Sequence, residues 1–272
     1  MASFKVRKAV DPHVLMLEVA GGERVSPNVV RVTLGGEGLG RFTPLGFDQW
    51  FRLFLPRPGQ DTLKLPTATS GLWYAQYLAT AKQKRPYVRN YTVRAYRAEQ
   101  RELDVDFVIH READGSCGPA ASFALNAKPG DQVGLLDQGI GYNPRHEHDW
   151  TLLIADETGL PAVAGICESL PGDAKGLAIV ELPSAEDRQE FRVPAGVELH
   201  WVPRDGAGGV PGGLAMSRLR ETQLLGGTVY AYLVGESALV TGGRRHLVEE
   251  LRVPKNQVDF IGYWRHGRPA GT

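Results

Sequence analysis

An arginine and a tyrosine stand two residues apart in the segment RNYTVR, residues 89–94. In a β-strand, Arg89 and Tyr91 project from one face and Thr92 from the other. A guanidinium group binds phosphate through two parallel hydrogen bonds, and an aromatic ring offers a flat surface for stacking. The pair therefore suits a ligand with both a pyrophosphate and a planar ring system, such as FAD. The simpler alternative is an exposed strand with scattered charges.

A second segment, CGPAASFALNA, has the composition of a helix start that can bind phosphate. Pro119 suits the first position of a helix, and Gly118 before it lets an anion approach the free backbone amides. The positive end of the helix dipole favours the same anion. Gly-Pro helix starts are common, so this motif gains weight from its place one strand after Arg89 and Tyr91.

A third segment, ADETGLP, follows an apolar run, TLLIA, that is typical of a strand buried on both faces. Ligands of open α/β sheets bind beyond the carboxyl ends of the strands, so this turn suits a nicotinamide nucleotide. VGES, residues 234–237, ends another such strand, and we expect it to line the same cleft. The turn lacks the G-x-G-x-x-G fingerprint, and an ordinary acidic turn before a helix is the alternative.

Two different patterns of secondary structure, one in each half of the chain, position these segments. Up to about Gly134 the chain alternates short β-like runs with turns, which predicts an antiparallel β-barrel. The runs are VLMLEVA, NVVRVTL, QWFRLFL, VRNYTVRAY, LDVDFVIH and DQVGLL. A long polar insertion punctuated by proline, residues 61–86, interrupts them and contains a helix-compatible piece, LWYAQYLATAK.

From Trp150 onward, buried strands alternate with helical patterns, which predicts an open, mostly parallel α/β sheet. The expected strands are TLLIA, GLAIVEL, VELHWV, TVYAYLV and VDFIGYW. We therefore predict an FAD-binding β-barrel over residues 1–138 and an NAD(P)H-binding-like α/β domain over residues 150–272. Residues 139–149, rich in turn formers, are the expected joint between the two domains.

The charge and cysteine content exclude some classes of protein. Lys and Arg number 31, and so do Asp and Glu, so the formal net charge is zero. Nucleic-acid binding usually needs a basic excess, so we expect none, although a zero sum hides any local basic pocket. Cys117 and Cys167 form neither a disulfide framework nor a zinc-type pair. Because no signal peptide or integral membrane segment is evident, we expect a cytoplasmic protein.

The run His146, Glu147, His148 and Asp149 invites interpretation as a metal site. These residues lie in the expected joint, where alternating polar residues are usually just solvated. We therefore expect no permanent metal site in the protein.

Taken in chain order, RNYTVR, DFVIH, CGPAASFA, ADETGLPAVA and GYWRHG resemble the motifs of the siderophore-interacting protein family. That family belongs to the ferredoxin-reductase-like superfamily and includes ferric-siderophore reductases. The resemblance implies an FAD-dependent oxidoreductase that reduces siderophore-bound Fe(III) to Fe(II), so that iron is released inside the cell. NADH or NADPH is the implied electron donor, and a ferredoxin is an alternative donor and protein partner.

The resemblance also assigns cofactor contacts. Arg89 is expected to bind the FAD pyrophosphate, Tyr91 to lie against the isoalloxazine ring, and Thr92 to bring its hydroxyl to the redox nitrogen. Tyr91 and Thr92 are therefore the candidate catalytic residues. The other implied FAD contacts are Val93, Arg94, Phe107, Val108, His110, Gly118, Pro119, Ala120, Ala121, Ser122, Tyr263 and Trp264. Relatives commonly have a hydroxyl residue where this chain has Ala121, so either Ser122 replaces that hydroxyl or the backbone amides alone bind the phosphate.

Weaker assignments concern the donor and the substrate. The nicotinamide candidates are Asp156, Glu157, Thr158, Gly159, Gly235 and Glu236. A ferric siderophore is bulky and often anionic, so the basic residues Arg52 and Arg265 are the substrate candidates. Some relatives have an arginine where this chain has Gln138.

Other functions also fit the sequence. One is a flavin- or ferredoxin-coupled reductase that passes electrons to a protein or to free flavin. Another is a non-catalytic siderophore-binding protein, which would purify colourless. A plain two-domain scaffold fits the composition but leaves the ordered motifs unexplained. The acidic ADET turn offers no binder for a 2′-phosphate, so the sequence does not indicate NADPH over NADH.

Overall fold

The computed structural model describes residues 6–60, 62–111 and 114–268. The chain divides into two compact units. Residues 7–45 and 49–140 form the first, here called the β unit, and residues 46–48 with 141–268 belong to the second, the α/β unit. Among the described residues, no helix is both long enough and apolar enough to cross a bilayer.

The β unit is a seven-stranded sheet in which all strand pairs are antiparallel. Its order is β4-β3-β7-β1-β2-β6-β5. The strands are β1 Val14–Ser26, β2 Val29–Gly35, β3 Trp50–Leu55, β4 Tyr87–Thr92, β5 Ala95–Arg97, β6 Glu102–Val108 and β7 Gln132–Gly139. Strand β4, at one edge, also contacts β6 near the other edge, so the sheet curls around its core. The predicted antiparallel N-terminal domain is confirmed.

Alternation along the strands explains why this sheet has one apolar face. In β2, Val32 and Leu34 are buried in the core, whereas Arg31 and Thr33 point to the other face. There Arg31 donates to Asp106 of β6 at 2.7 Å, so side chains on the polar face also link β2 to β6. Two short helices complete the unit: α1, Leu72–Ala79, and α2, Pro119–Asn126.

The structure differs from the sequence prediction at two strands. The run VRNYTVRAY is two strands, because the chain changes partner after β4: Val93 N–H donates to Gln49 O, and Arg94 N–H donates to Asp104 O of β6. Strand β1 runs well past the predicted VLMLEVA, through a glycine pair, with irregular register that bends it. Glycine is required at 139, where φ is +89° and a Cβ would lie 2.0 Å from Arg7 O.

The α/β unit is a five-stranded sheet in the order β10-β9-β8-β11-β12, with every pair parallel. Its strands are β8 Trp150–Ala155, β9 Lys175–Leu182, β10 Gly196–Pro203, β11 Val229–Glu236 and β12 Val258–Trp264. Its α-helices are α3 Leu160–Ser169, α4 Gly213–Glu221 and α5 Ser237–Arg245. The predicted open parallel domain is confirmed.

Helices cover both faces of this sheet. Val163 of α3 packs with Leu153 on one face, whereas Leu219 of α4 and Leu239 of α5 pack with Ile154 on the other. Strands β8 and β11 are therefore buried along their whole length, as their apolar runs predict. The sequence also predicts a buried VELHWV strand, but β10 is an edge strand and is mostly half-buried.

The short segment 46–48 belongs to the α/β unit through buried contacts. The carboxylate of Asp48 accepts hydrogen bonds from Gly141 N–H, Tyr142 N–H and the Tyr232 hydroxyl. Burial raises the pKa of Asp48 despite these three donors. Gly165 in α3 leaves room for this segment, since a Cβ there would lie 2.1 Å from Phe47 O.

Candidate functional site

Strand β4 carries the central residues of the predicted cofactor site. Tyr91 is half-buried, and its ring centroid lies 4.4 Å from that of Phe107 on β6. Burial raises the pKa of Tyr91, so its phenol is neutral. Arg89 is half-buried on the same face, with one guanidinium nitrogen 2.7 Å from Val88 O. The strand thus presents a cation and a neutral aromatic ring side by side.

Helix α2 packs on β4 and β6. Ala120 and Ala121 are buried in the core, which leaves Gly118 and Ser122 exposed at the start of the helix. No side chain among the described residues caps this N-terminus, Pro119 supplies the first helical residue, and a Cβ at Gly118 would meet none of them within 4 Å. The first-turn amides are therefore accessible to an anion.

The β3–β4 pair holds a buried donor without a protein partner in the described part of the chain. This donor is the indole Nε1–H of Trp50. Thr92 is 7% exposed and lies directly opposite Trp50, so the two side chains share one face of the sheet. A buried donor without a partner is costly, so this face suits a ring system with its own hydrogen-bonding atoms.

A second group of polar residues lies at the carboxyl ends of the parallel strands. Asp156, directly after β8, is fully buried and accepts hydrogen bonds from Thr158 N–H, Glu236 N–H and the Trp264 indole at 2.8, 2.7 and 3.0 Å. Burial, and then the charge of Glu157, raise the pKa of Asp156 to about 6. One carboxylate therefore ties together the ends of β8, β11 and β12.

Arg204, which follows β10, balances two of the buried carboxylates. Its guanidinium donates twice to Glu157 at 2.8–2.9 Å and once to Glu181 at 2.8 Å. Glu181 also accepts the N–H groups of Gly212 and Ala215 at the start of α4. These carboxylates raise the pKa of Arg204 despite its partial burial. The strand ends are thus acidic, and this guanidinium is hydrogen-bonded to two of the buried carboxylates.

Two family models match the chain. The model for the siderophore-interacting FAD-binding domain matches residues 18–141, and the model for siderophore-interacting protein matches residues 148–267. The ferric vibriobactin reductase ViuB of Vibrio cholerae is 32% identical over 93% of this chain and 90% of its own length. The chain belongs to the siderophore-interacting protein family.

Two further relatives of this siderophore-interacting protein agree with that membership. The NADPH-dependent ferric-chelate reductase of Escherichia coli is 29% identical, and the match covers 91% of each chain. A crystal structure of a siderophore utilization protein from T. fusca superposes with a TM-score of 0.81 at 32% identity and covers 97% of each chain. The predicted family and fold are both confirmed.

The FAD-binding domain of this siderophore-interacting protein contains the residues predicted for FAD on β4, β6 and α2. The structure brings those three elements together. Phe107 is fully buried and packs against the Tyr91 ring, whereas Val108 is half-buried and His110 is exposed. Val93 and Arg94 are half-buried where the chain leaves β4. The uncapped helix start, the buried hydroxyl and the aromatic ring fit FAD.

The remaining predicted residues lie elsewhere. In the α/β unit, Asp156, Glu157 and Glu236 are buried and hydrogen-bonded, so they shape the strand ends. Gly235 has φ +126°, and a Cβ there would lie 2.7 Å from the Asp156 carboxyl. Tyr263 is exposed at the end of β12.

The surroundings of Arg52 do not follow from the sequence. Its guanidinium carbon lies 4.5 Å from the centre of the Trp73 ring and 5.8 Å from that of Trp50, and its Nε donates to Gln138 Oε1 at 3.2 Å. Burial lowers the pKa of Arg52 from its usual value. Trp73 lies in the insertion between β3 and β4, and no local motif links it to Arg52. Arg204 was missed as well, although its place after a predicted strand was a usable signal.

Proposed function

We propose that this siderophore-interacting protein is an FAD-dependent ferric-siderophore reductase. It reduces siderophore-bound Fe(III) to Fe(II) with electrons from NADH or NADPH, two ferric ions for each nicotinamide oxidised. The relatives named as ferric vibriobactin reductase and ferric-chelate reductase support this reaction. The observation that carries the proposal is the Arg89–Tyr91–Thr92 strand beside an uncapped helix start, within an FAD-binding domain.

The proposed roles of the FAD-binding residues follow from their chemistry. Arg89 and the first-turn amides of α2 bind the diphosphate, since both donate hydrogen bonds to anionic oxygens. Tyr91 lies against the ring system as a neutral aromatic surface, since burial raises the pKa of its phenol still further above neutral pH. Thr92 and Trp50 direct hydrogen bonds to the ring's polar atoms. When bound, FAD supplies a centre that takes up two electrons and releases them singly.

The donor is proposed to bind at the strand ends of the α/β unit. The backbone at Thr158, Gly159 and Gly235 contacts the nicotinamide nucleotide, because ligands of such sheets bind beyond the carboxyl ends of the strands. Asp156 holds that backbone through Thr158 N–H and Glu236 N–H, and the Glu236 carboxylate holds Ala238 N–H and His266 N–H beside it, so both act as positioning residues. Tyr263 and Trp264 offer aromatic surface to a bound ring.

The substrate contacts are proposed on the basis of charge. Arg52, held against two tryptophan rings, and Arg265, exposed after β12, attract an anionic ferric chelate. A ferredoxin is the alternative electron donor. A cytoplasmic setting, in which reduced nicotinamides are supplied, completes the proposal.

An anaerobic assay that traps Fe(II) with a colorimetric chelator tests this function. We expect Fe(II) to form from a ferric siderophore when NADH or NADPH is added, at a rate proportional to enzyme. The same assay is run with reduced ferredoxin as the donor, and with free flavin or a ferric haem protein as the acceptor. Turnover of flavin or haem protein without turnover of ferric chelates would identify a different reductase. A protein that binds the chelate but reduces nothing would be a carrier.

A further inference from the structure

Helix α1 exposes an apolar surface that the proposed redox function does not use. Its sequence, LWYAQYLA, contains no charged residue, and among its residues only Tyr77 is fully buried. Leu72, Tyr74 and Leu78 are 67%, 47% and 44% exposed. At roughly 100° per residue, these three share the outward arc with Ala75 and Ala79. An apolar helix usually lies in a protein core, and exposed apolar faces of this kind often mark interaction surfaces.

The structure holds α1 firmly in this orientation. Trp73 packs edge-on against Phe54 of β3, with ring centroids 5.9 Å apart, and the Tyr77 hydroxyl donates to Pro86 O at 3.1 Å. Gln76 is the one side chain of the helix with an amide, and its Oε1 accepts from Thr67 N–H and Ala68 N–H. Gln76 is itself exposed, but these bonds tie its side chain to residues 67–68, while Trp73 and Tyr77 fix the inward side of the helix.

The chain around α1 is strongly basic. Residues 50–94 contain eight Lys and Arg residues and one acidic residue, Asp61, a local net charge of +7 in a chain whose total is zero. Lys64, Lys82 and Lys84 are exposed close to the helix in sequence. The Arg85 guanidinium donates to Thr80 O and Leu78 O, so it also closes the carboxyl end of the helix.

We propose that α1 and the lysines beside it dock this protein on the surface of a bilayer that contains anionic lipids. Leucine and tyrosine side chains on an exposed helix face enter the boundary between headgroups and acyl chains, and flanking lysines pair with anionic headgroups. This surface function requires neither FAD nor iron, so it stands independently of the proposed reaction.

Charge and surface chemistry favour a bilayer over the other occupants. A second copy docked through α1 would bring the exposed Lys64, Lys82 and Lys84 of both copies together, which like-charge repulsion opposes. Small ligands bind in concave sites, whereas Leu72, Tyr74 and Leu78 project from an exposed helix face. A bilayer matches both features at once, because it has an apolar interior beneath an anionic surface.

Co-sedimentation of the FAD-loaded protein with phosphatidylcholine vesicles, with or without phosphatidylglycerol, tests the proposal. We expect binding to the anionic vesicles that weakens as salt is added. Leu72→Ser/Leu78→Ser should lower the partition constant at least about tenfold, since two exposed leucines no longer enter the bilayer. Leu225→Ser removes a leucine that is 48% exposed in the α/β unit and should change nothing.

A charge variant tests the electrostatic half of the proposal. Lys82→Glu/Lys84→Glu should lower the partition constant about tenfold or more, whereas Lys255→Glu, an exposed lysine of the α/β unit, should have little effect. The substituted side chains are exposed, so all variants should retain FAD and the wild-type melting temperature.

Several results would overturn the proposal. One is failure to recover the wild type with anionic vesicles at any salt concentration, and another is binding of the leucine variant equal to that of the wild type. A concentration-dependent dimer that Leu72→Ser/Leu78→Ser abolishes would identify a second copy as the occupant. A raised KM for ferric chelates in that variant, without vesicle binding by the wild type, would identify a substrate surface.

Discussion

Arg89 is the side chain on which FAD retention is expected to depend most directly. A charge-assisted contact to the pyrophosphate contributes about 1.5–3 kcal/mol. Arg89→Ala should therefore raise the FAD dissociation constant roughly 10- to 150-fold, measured by fluorescence titration of the apoprotein. Arg24→Ala, an exposed arginine on β1, serves as the control and should leave the constant unchanged. Equal FAD affinity in Arg89→Ala and wild type would remove Arg89 from the site.

Asp156 is expected to make stability depend on pH. Burial raises its pKa to about 6 from 3.8, so between these values the folded state holds a proton that the unfolded state has lost. The contribution of this carboxyl to the free energy of unfolding should therefore fall as the pH rises from about 4 to 6, by roughly 3 kcal/mol in all.

Urea unfolding of wild type and Asp156→Asn across this pH range measures that contribution. Asparagine does not titrate, so the difference between wild type and variant should shift against the wild type as the pH rises, and then level off. A difference that is constant, or that moves the other way, would show that Asp156 has an ordinary or lowered pKa in the folded protein.

At the scale of elements, two helical glycines are expected to respond in opposite directions to alanine. In α3, a Cβ on Gly165 would collide with Phe47 O, so Gly165→Ala should lower the free energy of unfolding by about 1–3 kcal/mol. In α5, a Cβ on Gly242 would meet only Met216 Sδ at 3.8 Å, so Gly242→Ala should raise it by about 0.5–1 kcal/mol. Denaturant melts compare the two, and equal effects would contradict the contact with Phe47.

The sequence predicts most elements because their patterns are local. Buried parallel strands such as β8 and β11 appear as continuous apolar runs, and the start of α2 appears as Gly118 followed by Pro119. The division between β4 and β5 does not appear, because it depends on a change of pairing partner from β3 to β6. Strand β10 was predicted as buried, but it is half-exposed because it lies at the edge of the sheet. The residues of a strand do not indicate its position in the sheet order.

The candidate site was predictable to the same extent. Arg89, Tyr91 and Thr92 form a local motif, so their types and spacing indicate a ligand. Trp50 was not predicted, because its place beside Thr92 follows from the register of β3 on β4. The pairing of Arg52 with Trp73 was not predicted either, since it depends on how a long insertion returns to the sheet.

At the scale of the whole molecule, each unit has its own core and its own matching family model. The neutral total charge hides two opposed regions. Residues 50–94 of the β unit carry a net charge of +7, whereas the strand ends of the α/β unit bury Asp156, Glu157, Glu181 and Glu236. Composition alone therefore says little about where anionic ligands bind.

The most direct test of the redox function is the visible spectrum of the purified protein under anaerobic conditions. We expect a flavin spectrum that bleaches when NADH, NADPH or reduced ferredoxin is added, and that returns when a ferric siderophore is added in place of oxygen. Return of the spectrum should be accompanied by two Fe(II) ions for each flavin reoxidised, because the flavin holds two electrons. A folded protein that takes up no FAD, or a bleached flavin that ferric siderophores do not reoxidise, would contradict the assignment.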